Sequence, residues 1–209
     1  MDKQATKAAQ TIIHDNDERI LVVKRDLLFA QDAWQGLRSV DLSHYQAVVD
    51  SSAEFHWRSA MEEDPTYKQI IPYMIFEYQH TYFLMERKST ACEQRLKSKL
   101  SLGIGGHVRQ EDMSGRTIFD WARREFHEEV SYQGKLDIEP LGVLNDDSNS
   151  VGQVHVGFIL MLHGNSPDIA IKSEHKQGML YTGEALTLCI DRMESWSQIV
   201  WQHIQSIKK

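Results

Sequence analysis

The stretch RREFHEEV, residues 123–130, decides how the rest of the sequence is interpreted. It places Glu125, Glu128 and Glu129 within about one and a half turns of a predicted helix, close to the helix end. Glu125 and Glu129 are four positions apart, a spacing at which like charges destabilise a helix by about 0.2–0.5 kcal/mol. Carboxylates in the last turn also face the negative end of the helix dipole. The placement of three glutamates at this helix end is therefore unfavourable for the helix itself and must serve another purpose.

The glutamates lie beside the apolar stripe of the predicted helix, not opposite it. At about 100° per residue, the core-facing positions are Ile118, Phe119, Ala122, Phe126 and Val130. Carboxylates at a half-buried edge raise one another's pKa unless a positive charge lies among them. That charge is either a divalent cation such as Mg²⁺, which takes carboxylate oxygens and substrate phosphates, or a structural ion-pair network. In such a network Arg124 would pair with Glu128, although arginine before glutamate is the less favourable order.

A glycine-rich turn, SLGIGGHV at residues 101–108, precedes the helix and favours the metal interpretation. Such turns bring backbone carbonyls or N–H groups close to a metal or a phosphate. Other motifs fail on spacing. Val108 stands where a dinucleotide fingerprint requires its third glycine, and Ser131 stands where a zinc-protease motif requires its second histidine.

The order of the predicted elements indicates an α/β protein. Apolar runs predict a strand at 19–25, a hairpin at 69–88 that turns near Gln79 and His80, and strands within 136–145 and 153–162. A central helix is expected from about Gly115 to Val130 with Ser114 as N-cap, and a closing helix within 194–209. Residues 26–66 show no clear pattern. Strands on both sides of a helix predict a mixed α/β sandwich, with a flexible tail at 1–16 and a single domain at 17–209.

Composition limits the classes of partner. The chain of 209 residues carries a formal net charge of -7, which argues against binding duplex nucleic acid. A small anionic substrate would then need a basic pocket or bound cations. Cys92 and Cys189 are the only cysteines, and we expect reduced thiols in a cytoplasmic protein. No apolar run approaches the ~18 residues of a membrane span.

The residues from Gly106 onward resemble the Nudix box, G-x5-E-x7-R-E-U-x-E-E-x-G-U, in which U is a bulky apolar residue. Gly106 fits the first glycine, and Arg124 to Glu129 fit R-E-U-x-E-E without a gap, so the box occupies about 106–132. The segment between Gly106 and Arg124 is four residues longer than the pattern, and Ser131 replaces the last glycine.

The resemblance to the Nudix family implies an α/β/α sandwich with a mixed sheet, to which this chain adds an N-terminal extension. It implies hydrolysis of a diphosphate bond in a nucleoside diphosphate derivative or a similar small molecule, with Mg²⁺ or Mn²⁺ as cofactor. Glu125, Glu128 and Glu129 would bind the cations with the Gly106 carbonyl, and Arg124 would join the glutamates as a catalytic group. The stretch LGVLNDDSNSVGQVHVG, residues 141–157, is similar to a bacterial subgroup described as predicted Nudix phosphoesterases.

Two rival functions share this fold. One is a Nudix-fold nucleotide-binding module without turnover, against which the intact REFHEE at 124–129 argues. The other is an isomerase similar to isopentenyl diphosphate isomerase, whose chemistry usually uses a cysteine. Neither Cys92 nor Cys189 lies beside the box in the sequence. A homodimer is compatible with either reading.

Five residues outside the box are candidates for binding substrate. Asp146 and Asp147 could add a metal ligand or hold a water, but Asn, Asp, Ser and Gly are also turn formers. His155 begins a buried strand and fits either a pocket wall or a core histidine with a backbone partner. Glu174 could be an extra acid or part of an exposed loop, and Arg95 belongs to a basic stretch that could meet a substrate phosphate or remain solvated.

Overall fold

The computed structural model of the protein describes residues 17–30, 33–87, 99–112, 117–173 and 176–207. The predicted tail at 1–16, the predicted N-cap Ser114 and the two candidates Arg95 and Glu174 lie outside the described residues. Everything below refers to the described part of the chain.

Strands and helices alternate along the chain. The strands are β1 (Arg19–Lys24), β2 (Gly36–Arg38), β3 (Glu54–Trp57), β4 (Tyr67–Tyr78), β5 (Thr81–Arg87), β6 (Leu100–Ser101), β7 (Gly103–Gly105), β8 (Val130–Ser131), β9 (Leu136–Asn145), β10 (His155–Gly164), β11 (Ala170–Ile171) and β12 (Lys176–Thr182). The helices are α1 (Arg25–Leu28), α2 (Leu42–Ser52), α3 (Arg58–Met61), α4 (Ile118–Glu129), α5 (Ser150–Val154), α6 (Gly183–Leu188) and α7 (Ser195–Ile207).

One mixed sheet organises these elements, with the strand order β12-β5-β4-β10-β9-β2. β4 and β10 are parallel, while the other neighbours along this order are antiparallel. The predicted hairpin is confirmed as β4 and β5. Its turn residues Gln79 and His80 have φ angles of 48° and 63°, and two positive φ values are what a two-residue hairpin turn requires.

The central strand β10 separates two hydrophobic cores. Val156, Phe158, Leu160 and Leu162 join the core beneath α2 and α4, whereas Ile159 and Met161 join the core beneath α6 and α7. Side chains that alternate between two buried faces explain why this strand is apolar without interruption. The predicted α/β/α sandwich is therefore confirmed.

Helix α4 begins at Ile118, three residues after Gly115, the predicted start, and its N-cap is Thr117 and not the predicted Ser114. The Thr117 side chain accepts from the N–H of Asp120, and the Asp120 carboxylate accepts from the N–H of Thr117, which makes a capping box. Four of the five predicted core-facing residues are buried. Phe119 was predicted wrongly: it is 37% exposed, because Trp121 fills the core in its place at 3% exposure.

Residues 17–66, the N-terminal extension, account for the region in which the sequence showed no pattern. β1 pairs with β4 and with β3, and β2 pairs with β9, so the extension continues the sheet at two places. Helix α2 covers the same face as α4, and the Gln46 side chain accepts from the N–H of Ile118 at 2.8 Å. The extension therefore supports the start of α4. Among the described helices, none has both the length and the apolar character to cross a membrane.

Candidate active site

The last turn of α4 brings together the three glutamates that the sequence singled out. Glu125 is buried at 8% exposure, Glu129 is half-buried and Glu128 is exposed. Burial raises the pKa of the Glu125 carboxyl to about 7; Arg124 opposes this shift, and Glu128 and Glu129 add to it. The helix thus holds a carboxylate whose negative charge is costly in the absence of a further cation.

Arg124 joins the helix end to the glycine-rich turn. Its guanidinium lies 2.8 Å from Glu128 and 3.4 Å from Glu125, and it donates to the His107 carbonyl at 3.2 Å. Arg109 lies 3.5 Å from the same Glu128 oxygen. The i,i+4 pair considered from the sequence is therefore present, and the two arginines hold Glu125 and Glu128 in place.

Gly106 leaves space for the Glu125 carboxylate directly against the backbone. A Cβ atom at position 106 would lie 2.0 Å from Oε1 of Glu125 and 2.5 Å from its Cδ. Only glycine permits this approach. The glycine-rich turn and the end of α4 therefore meet where Glu125 lies against Gly106, and this contact is called the cradle below.

A cavity of about 600 Å³ opens beside this cradle. Gly106 and Glu129 lie on its wall, and Arg58 brings a positive charge from the N-terminal extension. Other walls come from β4, β7, α5 and the start of α7; among their residues are Ile71, Tyr73, Gly103, Asn149, Val151, Glu194, Ser195 and Trp196. The volume is large enough for a nucleotide-sized ligand.

His155 lies on the cavity wall and faces His107 across it. The Nδ1 atom of His155 is 2.7 Å from the Val151 carbonyl and must donate to it, which leaves the lone pair on Nε2. His107 Nε2 lies 3.2 Å from His155 Nε2 and 2.7 Å from the Gln69 side-chain oxygen. Loss of surrounding water lowers the pKa of both imidazoles. His155 therefore combines both features considered from the sequence, a place on the pocket wall and a backbone partner.

Asp147 is fixed by cations from distant parts of the chain. Arg25 binds it through two contacts of 2.5 and 2.9 Å, and Lys68 lies 3.0 Å away. The hydrogen bond from Arg25 holds the pKa of the Asp147 carboxyl well below its usual range. Lys68 is fully buried, and burial lowers its pKa to about 8 despite the contact with Asp147. The carboxylate neutralises a buried ammonium group.

Asp146 accepts hydrogen bonds from its own loop and from the N-terminal extension. Gln35 donates at 2.6 Å, the Ser148 hydroxyl at 2.5 Å and the Asn149 side chain at 3.0 Å. Neither Asp146 nor Asp147 lies on the cavity wall. This placement favours the turn interpretation of both residues over direct contact with a substrate.

Sequence reasoning missed a polar network at the base of the cavity. Tyr73 donates to Glu194 at 2.7 Å, and the Ser101 hydroxyl donates to the same oxygen at 2.8 Å. A Cβ atom at Gly103 would lie 1.9 Å from the Tyr73 ring, which explains why the turn has a glycine at position 103 as well as at 106. These residues come from three separate segments, so no local motif could have indicated them.

No family model matches the chain. Protein YmaB of Bacillus subtilis is 35% identical over 208 residues, which cover 88% of this chain and 96% of YmaB. The crystal structure of Tm1382, a candidate Nudix hydrolase, is 29% identical with a TM-score of 0.79 and covers 91% of this chain and 100% of its own. The Nudix domain of Shewanella oneidensis NrtR in complex with ADP-ribose is 9% identical with a TM-score of 0.53, covering 68% of this chain and 89% of that domain, which shows a common fold.

These similarities agree with the helix, turn and cavity described above. The chain belongs to the Nudix hydrolase family and is an enzyme of that family.

Proposed function

We propose that the protein hydrolyses a diphosphate bond in a nucleoside diphosphate derivative or a similar small molecule, and that it depends on Mg²⁺ or Mn²⁺. One observation carries this proposal: three carboxylates crowd the end of α4, where Glu125 lies against Gly106, and Gly106 and Glu129 line a cavity of about 600 Å³. In this proposal Glu125, Glu128, Glu129 and the Gly106 carbonyl hold the cations.

The residues present fit such a cation. A hard divalent cation takes oxygen ligands, and the helix end offers carboxylates in one place. The raised pKa of Glu125 means that its charged form lacks sufficient positive charge nearby. The absence of a side chain at Gly106 lets that carboxylate lie directly against the backbone of the glycine-rich turn. A bound cation would supply charge neutralisation at the phosphate oxygens and would acidify a water.

The chain's own side chains prepare the cavity for the reaction. Arg124 positions Glu125 and Glu128 relative to the turn through its contacts with both and with the His107 carbonyl. Arg58 gives the cavity a cation suited to a distal phosphate. The proton from the attacking water would go to Glu125 or Glu128, or to an acid outside the box; Glu194 is such an acid on the cavity wall.

A panel of nucleoside diphosphate compounds, each assayed with Mg²⁺ and with Mn²⁺, tests the proposal. ADP-ribose belongs in the panel because the NrtR Nudix domain was solved in complex with it. We expect metal-dependent release of nucleotide or phosphate products from at least one compound. Binding of a nucleotide by calorimetry without any turnover would support the rival binding module. A homodimer and a cytoplasmic location remain predictions.

A further inference from the structure

A second group of metal-ligand atoms shares no residue with the glutamates of α4. It consists of a carboxylate oxygen of Glu62 and a ring nitrogen each of His107 and His155, and these three atoms lie within 4.8 Å of one another. The residues come from the end of α3, the glycine-rich turn and the start of β10. Neither Glu62 nor His107 was selected from the sequence, because only the folded chain brings the three together.

The hydrogen bonds around His155 prepare it as a metal ligand. Its Nδ1–H donates to the Val151 carbonyl at 2.7 Å, so Nε2 presents a lone pair toward His107. A histidine that binds a metal usually donates its other ring N–H to a carbonyl or carboxylate, which fixes both tautomer and orientation. The ring of His155 is 7% exposed, and burial favours the neutral imidazole that metals require.

The separation of the two imidazoles suits a shared metal. Their Nε2 atoms are 3.2 Å apart, and two nitrogens that bind one tetrahedral Zn²⁺ at about 2.0–2.1 Å are separated by about 3.3–3.4 Å. Without metal, His107 Nε2–H donates to the Gln69 side-chain oxygen at 2.7 Å, and the Gln69 amide donates to the Met61 carbonyl. A metal at this position would replace the proton on His107 Nε2, which then moves to Nδ1.

We propose that Glu62, His107 and His155 bind a divalent transition metal of the Zn²⁺ class, at a site separate from the carboxylates of α4. Two imidazoles with one carboxylate favour Zn²⁺, Co²⁺ or Ni²⁺ over Mg²⁺, which prefers oxygen ligands alone. Both histidines line the cavity, so a fourth position on the metal would face a bound ligand. This site does not depend on the hydrolytic reaction.

Arg58 opposes metal binding at this site, because its guanidinium already pairs with Glu62. Its Nε atom lies 3.3 Å from Glu62, and the two side chains are 45% and 39% exposed. Exposed pairs of this kind contribute little free energy, so Glu62 can exchange Arg58 for a metal. Replacement of Arg58 by Gln should accordingly tighten metal binding.

Titration of the full-length protein with Co²⁺ tests the site through visible absorption, because four-coordinate Co²⁺ absorbs much more strongly than octahedral Co²⁺ in an all-oxygen site. We expect the intense bands in the wild type and their loss on addition of one equivalent of Zn²⁺. His155→Asn should abolish the bands. Glu62→Gln, an exposed change that does not threaten folding, should weaken Co²⁺ binding at least tenfold.

Two controls separate this site from others. Glu129→Gln should keep the Co²⁺ bands, because that residue belongs to the α4 carboxylates. His80→Asn should also keep them, because His80 is 91% exposed and lies in the β4–β5 turn. The proposal is overturned if the folded wild type shows no intense bands at saturating Co²⁺. It is also overturned if the bands survive in both Glu62→Gln and His155→Asn.

Discussion

Two regions of the molecule place carboxylates close together in the sequence, but the fold surrounds these carboxylates with different numbers of hydrogen-bond donors and cations. The end of α4 carries Glu125, Glu128 and Glu129; Arg124 pairs with Glu125 and Glu128, and Arg109 pairs with Glu128. The loop after β9 carries Asp146 and Asp147, and each accepts three or more hydrogen bonds.

The two regions differ in how many hydrogen-bond donors and cations the fold provides for the carboxylates. In the loop, the fold itself provides compensating donors, and the pKa of both aspartates is lowered. At the helix end the donors are too few, and burial leaves the pKa of Glu125 raised. A carboxylate that its own fold has neutralised serves stability, whereas a buried carboxylate left with a raised pKa beside a cavity is suited to bind a cation.

Replacement of Glu129 by Gln should give the largest effect on activity. If Glu129 is a metal ligand, turnover of a cleaved panel compound should fall at least about 100-fold, which corresponds to about 3 kcal/mol. The free energy of unfolding of the metal-free protein should stay the same or rise slightly, because repulsion from Glu125 is relieved. Steady-state kinetics and urea denaturation measure the two quantities. Normal turnover in this variant would mean that Glu129 is not a metal ligand, and that the α4 glutamates do not differ in role from the aspartates of the loop after β9.

Replacement of Asp147 by Asn should give the opposite pattern. The change leaves the fully buried Lys68 without its carboxylate partner, and an unpaired buried charge is strongly destabilising although Asp147 itself is 33% exposed. We expect a loss of about 3 kcal/mol in the free energy of unfolding, with specific activity of the folded fraction retained. Asp191→Asn is the matched control, because Asp191 is exposed, and it should change stability by less than about 0.5 kcal/mol.

Replacement of Gly106 by Ala should weaken metal binding without unfolding the protein. The new methyl group would stand where Oε1 of Glu125 now lies, so the carboxylate must turn away from the turn. We expect Mn²⁺ affinity to fall about 10-fold or more. Electron paramagnetic resonance of free Mn²⁺ gives the affinity, and thermal melting checks the fold. Unchanged affinity would mean that Glu125 does not bind the cation beside Gly106.

The smallest expected effect is a pH dependence of the metal-free protein. Because the folded pKa of Glu125 is about 7 against an ordinary value of 4.5, the folded state binds more protons between these values. The contribution of Glu125 to the free energy of unfolding is therefore present below about pH 4.5 and lost as the pH rises through about 7. Glu125→Gln should remove most of this loss of stability between pH 5 and pH 8. Urea denaturation at pH 5 and pH 8 in the presence of a chelator measures the change in the free energy of unfolding. An equal change with pH in the variant and the wild type would contradict the prediction.

The sequence predicted the elements whose signals are local. The hairpin of β4 and β5, the strand β10 and the helix α4 follow from periodicity, and Gly106 with the three glutamates follows from spacing. Contacts between remote segments could not be predicted in this way. Asp147 is 122 positions from Arg25 and 79 from Lys68, so the sequence shows an acidic turn but not the cations that neutralise it.

Residues 26–66 of the N-terminal extension escaped prediction for a related reason. Its strands are short, and β2 and β3 are only half-buried, so they lack the clear alternation of longer strands. Their positions depend on the neighbouring strands β9 and β1. For the same reason the sequence did not indicate His107 and Glu62 as metal ligands, because only the folded chain brings them next to His155.

Binding of Mn²⁺ that Mg²⁺ can displace tests the central claim most directly, because Mg²⁺ competes for carboxylate sites and binds poorly to histidine. Calorimetry should be performed on the wild type, Glu125→Gln and Asp146→Asn. We predict equal affinity in the wild type and Asp146→Asn, and affinity at least about 10-fold weaker in Glu125→Gln. No uptake at millimolar metal, or equal affinity in all three proteins, would contradict the assignment of the α4 carboxylates as the metal site.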